Sequence, residues 1–268
     1  MARANRHFIP GYIWHLTHRC HKREFLLKFA IDRNRWLQLL FEARKRYGVS
    51  ILNYSVTSNH IHLIVTDSGS PESIPRAMQY IAGKTGQEYN RRKKRKGAFW
   101  QDRYHATAIE SGAHLRQCLV YVDLNMVRAG VVNHPAQWNW NGFNEIQNPK
   151  RRYRIIDHYR LRQLLNVDTH SDFAKVYNQW VESQLTVDQI RKDHFSRSLA
   201  VGSEAFISTV KQALGIRAKG RQLSPSPDGG YHLREPAPVY AGSCDMLEKA
   251  NAKDIESCNE ILWNIGLS

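Results

Sequence analysis

An α+β fold around an antiparallel sheet is what this sequence predicts. Two observations carry it. Short runs rich in β-branched and aliphatic residues alternate with longer amphipathic segments, in the order β-α-β-β-α-β up to Ile109. Two of the runs are separated only by Ser58-Asn59, a tight turn that makes neighbours antiparallel.

Taken in order, Tyr12–Cys20 reads as a first strand and Asp32–Tyr47 as a helix stopped by Gly48. Ser50–Thr57 and His60–Thr66 are the strands flanking the tight turn, and Pro71–Asn90 is helical from a Ser/Pro-rich start. Beyond a basic run, Arg103–Ile109 is strand-like. In Ala113–Ala129, Leu115, Leu119, Val122, Met126 and Ala129 form the apolar stripe of a helix, and Gly130 supplies a C-cap. The succession matches a ferredoxin-like sheet with helices on one face. The tail differs. Asp157–Asn166, Ser171–Leu185, Val187–Ser198 and Ser203–Leu214 look helical, with Ser171 and Ser203 as N-caps. Leu223–Gly242 holds four prolines and three glycines and reads as a loop or linker, and Cys244–Ile265 as a last helix. The expected organisation is therefore an α+β domain over 1–149, a helical accessory region over 150–222, and a linker with terminal helix over 223–268.

Charge points to a polyanionic partner. The chain has 268 residues and a formal net charge of +15. Residues 1–149 carry 22 Lys/Arg against 10 Asp/Glu, whereas residues 150–268 carry 17 against 14. The excess thus lies in the first half. Cys20, Cys118, Cys244 and Cys258 show no paired spacing and read as reduced thiols of a cytosolic protein. The N-terminus, Met1 to His7, has charge with no apolar stretch behind it, and no apolar run approaches bilayer length, so neither secretion nor membrane insertion is expected.

Within the strand His60–Thr66, His60 and His62 fall on one face because alternate side chains of a strand do so. Two neutral imidazoles so spaced can share a divalent cation; the bland alternative is an accidental pair. On the later helix, Tyr121, Asn125 and Arg128 recur at i, i+4 and i+7, which aligns a phenol, an amide and a guanidinium. Such a set can offer a nucleophile, a metal ligand and a phosphate clamp, or simply flank a core. His15, His18, Cys20 and His21 cannot all gather round one tetrahedral zinc from a single strand, since His15 points away from His18 and Cys20. The run Arg91-Arg92-Lys93-Lys94-Arg95-Lys96 is followed by Phe99, Trp100 and Tyr104, and cations interleaved with rings suit single-stranded nucleic acid. Phe99 and Trp100 can equally pack into the core.

Together these motifs resemble the single-tyrosine members of the HUH endonuclease superfamily, and most closely the REP-associated tyrosine transposases. The resemblance runs through Gly11–Arg19, Ser58–Leu63, Gly97–Tyr104, Tyr121–Gly130 and His134–Trp140, in that order. Met126 departs from it, since many relatives carry proline after the asparagine.

The resemblance implies that Tyr121 is the nucleophile and that His60, His62 and Asn125 hold Mg²⁺ or Mn²⁺. DNA contacts are expected from Arg19, Arg91, Arg92, Lys93, Lys94, Arg95, Lys96, Arg103 and Arg128. The implied substrate is single-stranded DNA bearing REP-like palindromic hairpins, cut to leave a 5′-phosphotyrosine and a 3′-OH. A monomer or homodimer at the bacterial nucleoid, in the cytoplasm, is expected. Two other readings stay open: a catalytically silent DNA-binding regulator, and a relaxase or replication-initiator nickase.

Overall fold

The computed structural model describes residues 9–67, 69–186, 194–218, 220–226 and 229–234. Its first half follows the predicted order: β1 (Ile13–Arg19), α1 (Ala30–Tyr47), β2 (Ser50–Val56), β3 (His60–Thr66), α2 (Ser73–Arg92) and β4 (His105–Ile109). The strands pair in the order β2-β3-β1-β4, all antiparallel, which is the ferredoxin-like arrangement. Gly48 ends α1 in the left-handed conformation that glycine adopts without penalty. The Thr57 hydroxyl accepts from the backbone N–H of Asn59 and of His60, fixing the turn that sets the register of β3.

Both faces of this sheet are covered. On one, Leu16, Leu63 and Val65 meet Leu40 and Ala43 of α1 and Ile74, Ala77, Met78 and Ile81 of α2. The two helices of the β-α-β-β-α-β unit thus share a face, as expected. The other face receives α3 (Ala113–Asp123), which contacts β2, β3 and β4. Leu115, Leu119, Val122 and Met126 are buried along the predicted stripe, whereas Ala129 is exposed. The single helix expected over 113–129 breaks at Leu124 (φ −78°, ψ 5°) and resumes as α4 (Asn125–Arg128), ending before Gly130 at φ +68°.

The tail departs further from expectation. Helices α5 (Phe143–Gln147), α6 (His158–Leu165), α7 (His170–Leu185), α8 (His194–Arg197) and α9 (Glu204–Leu214) are joined by three strands: β5 (Ala200–Gly202), β6 (Gln222–Pro225) and β7 (Tyr231–Arg234). β5 runs parallel to β4, and the sheet extends to seven strands in the order β2-β3-β1-β4-β5-β7-β6. The reading of Leu223 onward as a loop is therefore corrected over its first part. Strands of three or four residues are too short to show a period of two, and Pro225 sits at the end of edge strand β6, where no ladder N–H is needed. Thr169, two residues before the expected Ser171, caps α7, while Ser203 caps α9 as predicted. The helix expected over Cys244–Ile265 lies outside the described residues.

Two side-chain contacts tie the end of the first half to β2 and α1. The Trp138 indole donates to the Val56 carbonyl at 3.0 Å, and the Arg33 guanidinium lies 3.8 Å from the Trp140 ring centroid.

Candidate active site

Register brings the histidines together. Arg19 lies opposite His60 and Thr17 opposite His62, so His15, two residues before Thr17 on the same face of β1, lies beside the His62 ring. The His60 and His62 rings have centroids 4.9 Å apart, and His15 stacks on His62 at 5.1 Å. His60 Nδ1 is held by Asn59 Oδ1 at 2.7 Å and by the Thr57 hydroxyl at 2.9 Å. This anchorage turns Nε2, the other ring nitrogen, away from the turn.

His15 and His62 are linked in a defined sense. His15 Nδ1 lies 2.8 Å from the Phe195 carbonyl; a carbonyl only accepts, so Nδ1 donates. In a neutral imidazole His15 Nε2 is then an acceptor, and it takes the proton of His62 Nδ1 at 3.0 Å. His62 Nε2 is left with its lone pair and accepts from the Asn125 amide at 2.9 Å. Burial supplies the neutrality this needs. It lowers the His15 pKa to about 4 against the raising effect of the Phe195 bond, and it holds His62 well below its usual value, helped by His60 and His15.

Tyr121, on the last turn of α3, stands edge-on to both rings, 5.8 Å from His62 and 5.9 Å from His15. Its side chain is buried, its ring packs on Phe195 at 5.3 Å, and its hydroxyl bonds the Ser196 hydroxyl at 2.8 Å. The Arg128 guanidinium lies 4.4 Å from the Tyr121 ring centroid and donates to the Tyr121 carbonyl. Tyr121, Asn125 and Arg128 therefore do share one face across the break at Leu124. Among the described residues no group of three or more His, Cys, Asp or Glu converges on one point. His62 stands against Tyr121 with the Asn125 amide at its Nε2 and His60 beside it, and two imidazoles with an amide are uncharged ligands of the kind that suits a loosely held divalent cation.

Residues 9–125, less than half of the chain, match the family model described as "Transposase IS200 like". Over that segment the chain is similar to the IS200-like transposases. The matched segment contains His15, His60, His62, Tyr121 and Asn125. No curated protein matches the chain. Among solved structures it is similar to a REP-associated tyrosine transposase bound to a REP hairpin, at 20% identity and a TM-score of 0.47, over 54% of this chain and 84% of that one. It is also similar to a Deinococcus radiodurans R1 protein assigned to the transposases, at 14% identity and a TM-score of 0.31, over 44% of this chain and 92% of that one.

The basic residues of the matched segment divide by their partners. Arg92 pairs with buried Asp32, and Arg95 reaches Glu24 at 3.3 Å and the Ala98 carbonyl at 2.9 Å. Arg91, Lys94 and Lys96 are exposed, and Lys93 lies 5.1 Å over the exposed Phe29 ring. Arg103 is exposed and Arg19 half-buried beside His60. Phe99 is buried, and Trp100 stacks on His18 at 4.0 Å and donates to the Ala82 carbonyl, so these two rings serve the core. The exposed rings near the basic run are instead Phe25 and Phe29.

Sequence reasoning missed His15, Phe195 and Ser196 as neighbours of the site. Strand parity was the available signal for His15: it separates that residue from His18, and once β1 pairs with β3 it adjoins His62. Nothing local marks Phe195 and Ser196. No helix among the described residues is long and apolar enough to cross a membrane.

Proposed function

We propose that this chain is a divalent-cation-dependent endonuclease and strand transferase for single-stranded DNA, cutting beside REP-like palindromic hairpins through a 5′-phosphotyrosine on Tyr121. The carrying observation is the convergence of Tyr121, His62 and Asn125, with the rings 5.8 Å apart and the amide 2.9 Å from the imidazole.

In this reading the Tyr121 oxygen attacks the scissile phosphorus in line. The bond from phosphorus to the 3′ oxygen breaks, the phenolic proton is lost, and the 3′ oxygen leaves as a hydroxyl once protonated by water. The new phosphodiester keeps the energy of the old one, so a later 3′-OH can reverse the step without ATP. His60, His62 and Asn125 would hold Mg²⁺ or Mn²⁺, which when bound polarises a non-bridging phosphate oxygen. A free tyrosine has a pKa near ~10, so the phenolic proton leaves as the bond to phosphorus forms, with the Arg128 cation 4.4 Å from the ring centroid. Ser196 orients the hydroxyl at rest and gives way to the phosphate. Arg19, Arg103, Arg128 and the exposed members of 91–96 bind the phosphate backbone. Hairpin preference, action as a monomer or homodimer, and a place at the bacterial nucleoid follow from the motif resemblance.

Burial of Tyr121 favours a second reading, a silent DNA-binding protein with the nucleophile sealed. The test mixes hairpin DNA, labelled on the 3′ side of the cut, with wild type and Tyr121→Phe in Mn²⁺ or Mg²⁺. A denaturation-resistant labelled band from wild type alone, lost with EDTA, is expected. Tight binding across a panel of hairpins with no band would leave the silent reading standing.

A further inference from the structure

Two residues outside the predicted site, His15 and Phe195, form a continuous hydrogen-bonded chain with His62 and Asn125. It runs from the Phe195 carbonyl through both imidazoles to the Asn125 amide, with distances of 2.8, 3.0 and 2.9 Å. Its sense is set at the Phe195 end, because a backbone carbonyl has no proton to give. Every following link is then determined: His15 donates from Nδ1 and accepts at Nε2, and His62 donates from Nδ1 and accepts at Nε2 from the Asn125 amide. His15 is completely buried and its ring is parallel to that of His62 within 7°. The carbonyl that starts the chain belongs to α8, which packs on β1 and β4, and the next residue of α8 holds the Tyr121 hydroxyl.

We propose that His15 is a positioning residue, anchored on the Phe195 carbonyl, that fixes His62 in the tautomer whose Nε2 lone pair faces Asn125 and Tyr121. The role given to that lone pair, as a cation ligand, rests on the function proposed above; the tautomer itself does not. An imidazole whose other nitrogen donates to a fixed acceptor is both oriented and made more basic, and removing such a partner weakens metal binding by about 10–100-fold. The C-terminal region thereby acts on the chemistry of the first half.

The test uses full-length protein with ¹⁵N-labelled histidine. In the metal-free wild type, long-range ¹H–¹⁵N spectra should show His62 Nδ1 as the protonated, pyrrole-like nitrogen and Nε2 as pyridine-like. His15→Leu should mix or invert the His62 tautomers and weaken Mn²⁺ binding, read by electron paramagnetic resonance, about tenfold or more. His15→Gln should restore both, since its amide can donate to Phe195 and accept from His62. A protonated Nε2 in the wild type overturns the proposal, and that spectrum needs no variant to fold. So does an unchanged His62 in a folded His15→Leu protein, or a His15→Gln protein as impaired as His15→Leu. Absence of a Tyr121 adduct alongside the expected spectra would sink the transposase chemistry while leaving the role of His15 in place.

Discussion

His62 has both ring nitrogens committed, one to His15 and one to Asn125, and its ring stands edge-on to Tyr121. Removing one hydroxyl beside it should separate chemistry from architecture. Tyr121→Phe is expected to abolish the covalent adduct and leave hairpin affinity, measured by fluorescence anisotropy, within about twofold, at a stability cost of about 1 kcal/mol for the missing bond to Ser196. A second residue gives a pH signature. Asp123 is fully buried and accepts from Tyr177 at 2.5 Å, and burial raises its pKa to about 7. The unfolded value is near ~3.9, so the folded state favours the protonated acid. Its contribution to stability is complete below that unfolded value and is lost as pH rises toward about 7. Urea unfolding should therefore show wild type weakening from acid to neutral pH relative to Asp123→Asn, whose curve should be flatter across the same window. His60, His62, Tyr121 and Asn125 were legible in the sequence because their relations are local: one strand, one helix. His15, Phe195 and Ser196 were not, since 180 positions separate His15 from Phe195.

Among the elements, the run at the end of α2 shows how a charge cluster divides its labour. Arg92 neutralises Asp32 in a buried setting and Arg95 ties back to Glu24, so both have structural employment. Replacing Arg91, Lys93, Lys94 and Lys96 by Gln should lower DNA affinity and shallow the salt dependence, by about 0.7 slope unit for each phosphate no longer neutralised. Arg92→Ala should instead lower the melting temperature, because it strands the Asp32 carboxylate. A quadruple variant with an unchanged salt slope would remove this run from the DNA surface. The strands β1 to β4 and helices α1 and α2 were readable because each is long enough to show its period and is bounded by Gly48 or the Ser58-Asn59 turn. The break at Leu124 was not, for the apolar stripe passes through it unchanged.

For the molecule as a whole, the described tail is a continuation of the sheet. Backbone bonds from Ala108 to Leu199 and from Glu110 to Val201 close the edge of β4, with β5 running parallel beyond it. Ending the chain after Thr186 should bare that edge and expose unpaired N–H and C=O groups. Light scattering is expected to reveal self-association of the shortened protein at concentrations where the full chain does not associate. A truncated chain as soluble and as monodisperse as the full one would argue that β4 needs no cover. β5 escaped sequence reading because parallel pairing across some ninety positions leaves no local trace, and β6 and β7 because four residues are too few to show a period.

The Phe195 carbonyl and the Ser196 hydroxyl also set a schedule. On the ribosome, His15, His62 and Tyr121 emerge long before the segment that aligns two of them and holds the third. A nascent chain paused after the tyrosine helix would carry every residue expected to bind and cut DNA, without the partners that order them. Under the proposed function, competence to cut would be withheld until Phe195 and Ser196 have been made, and a messenger truncated before codon 195 would yield a protein with Tyr121 present and its site unassembled.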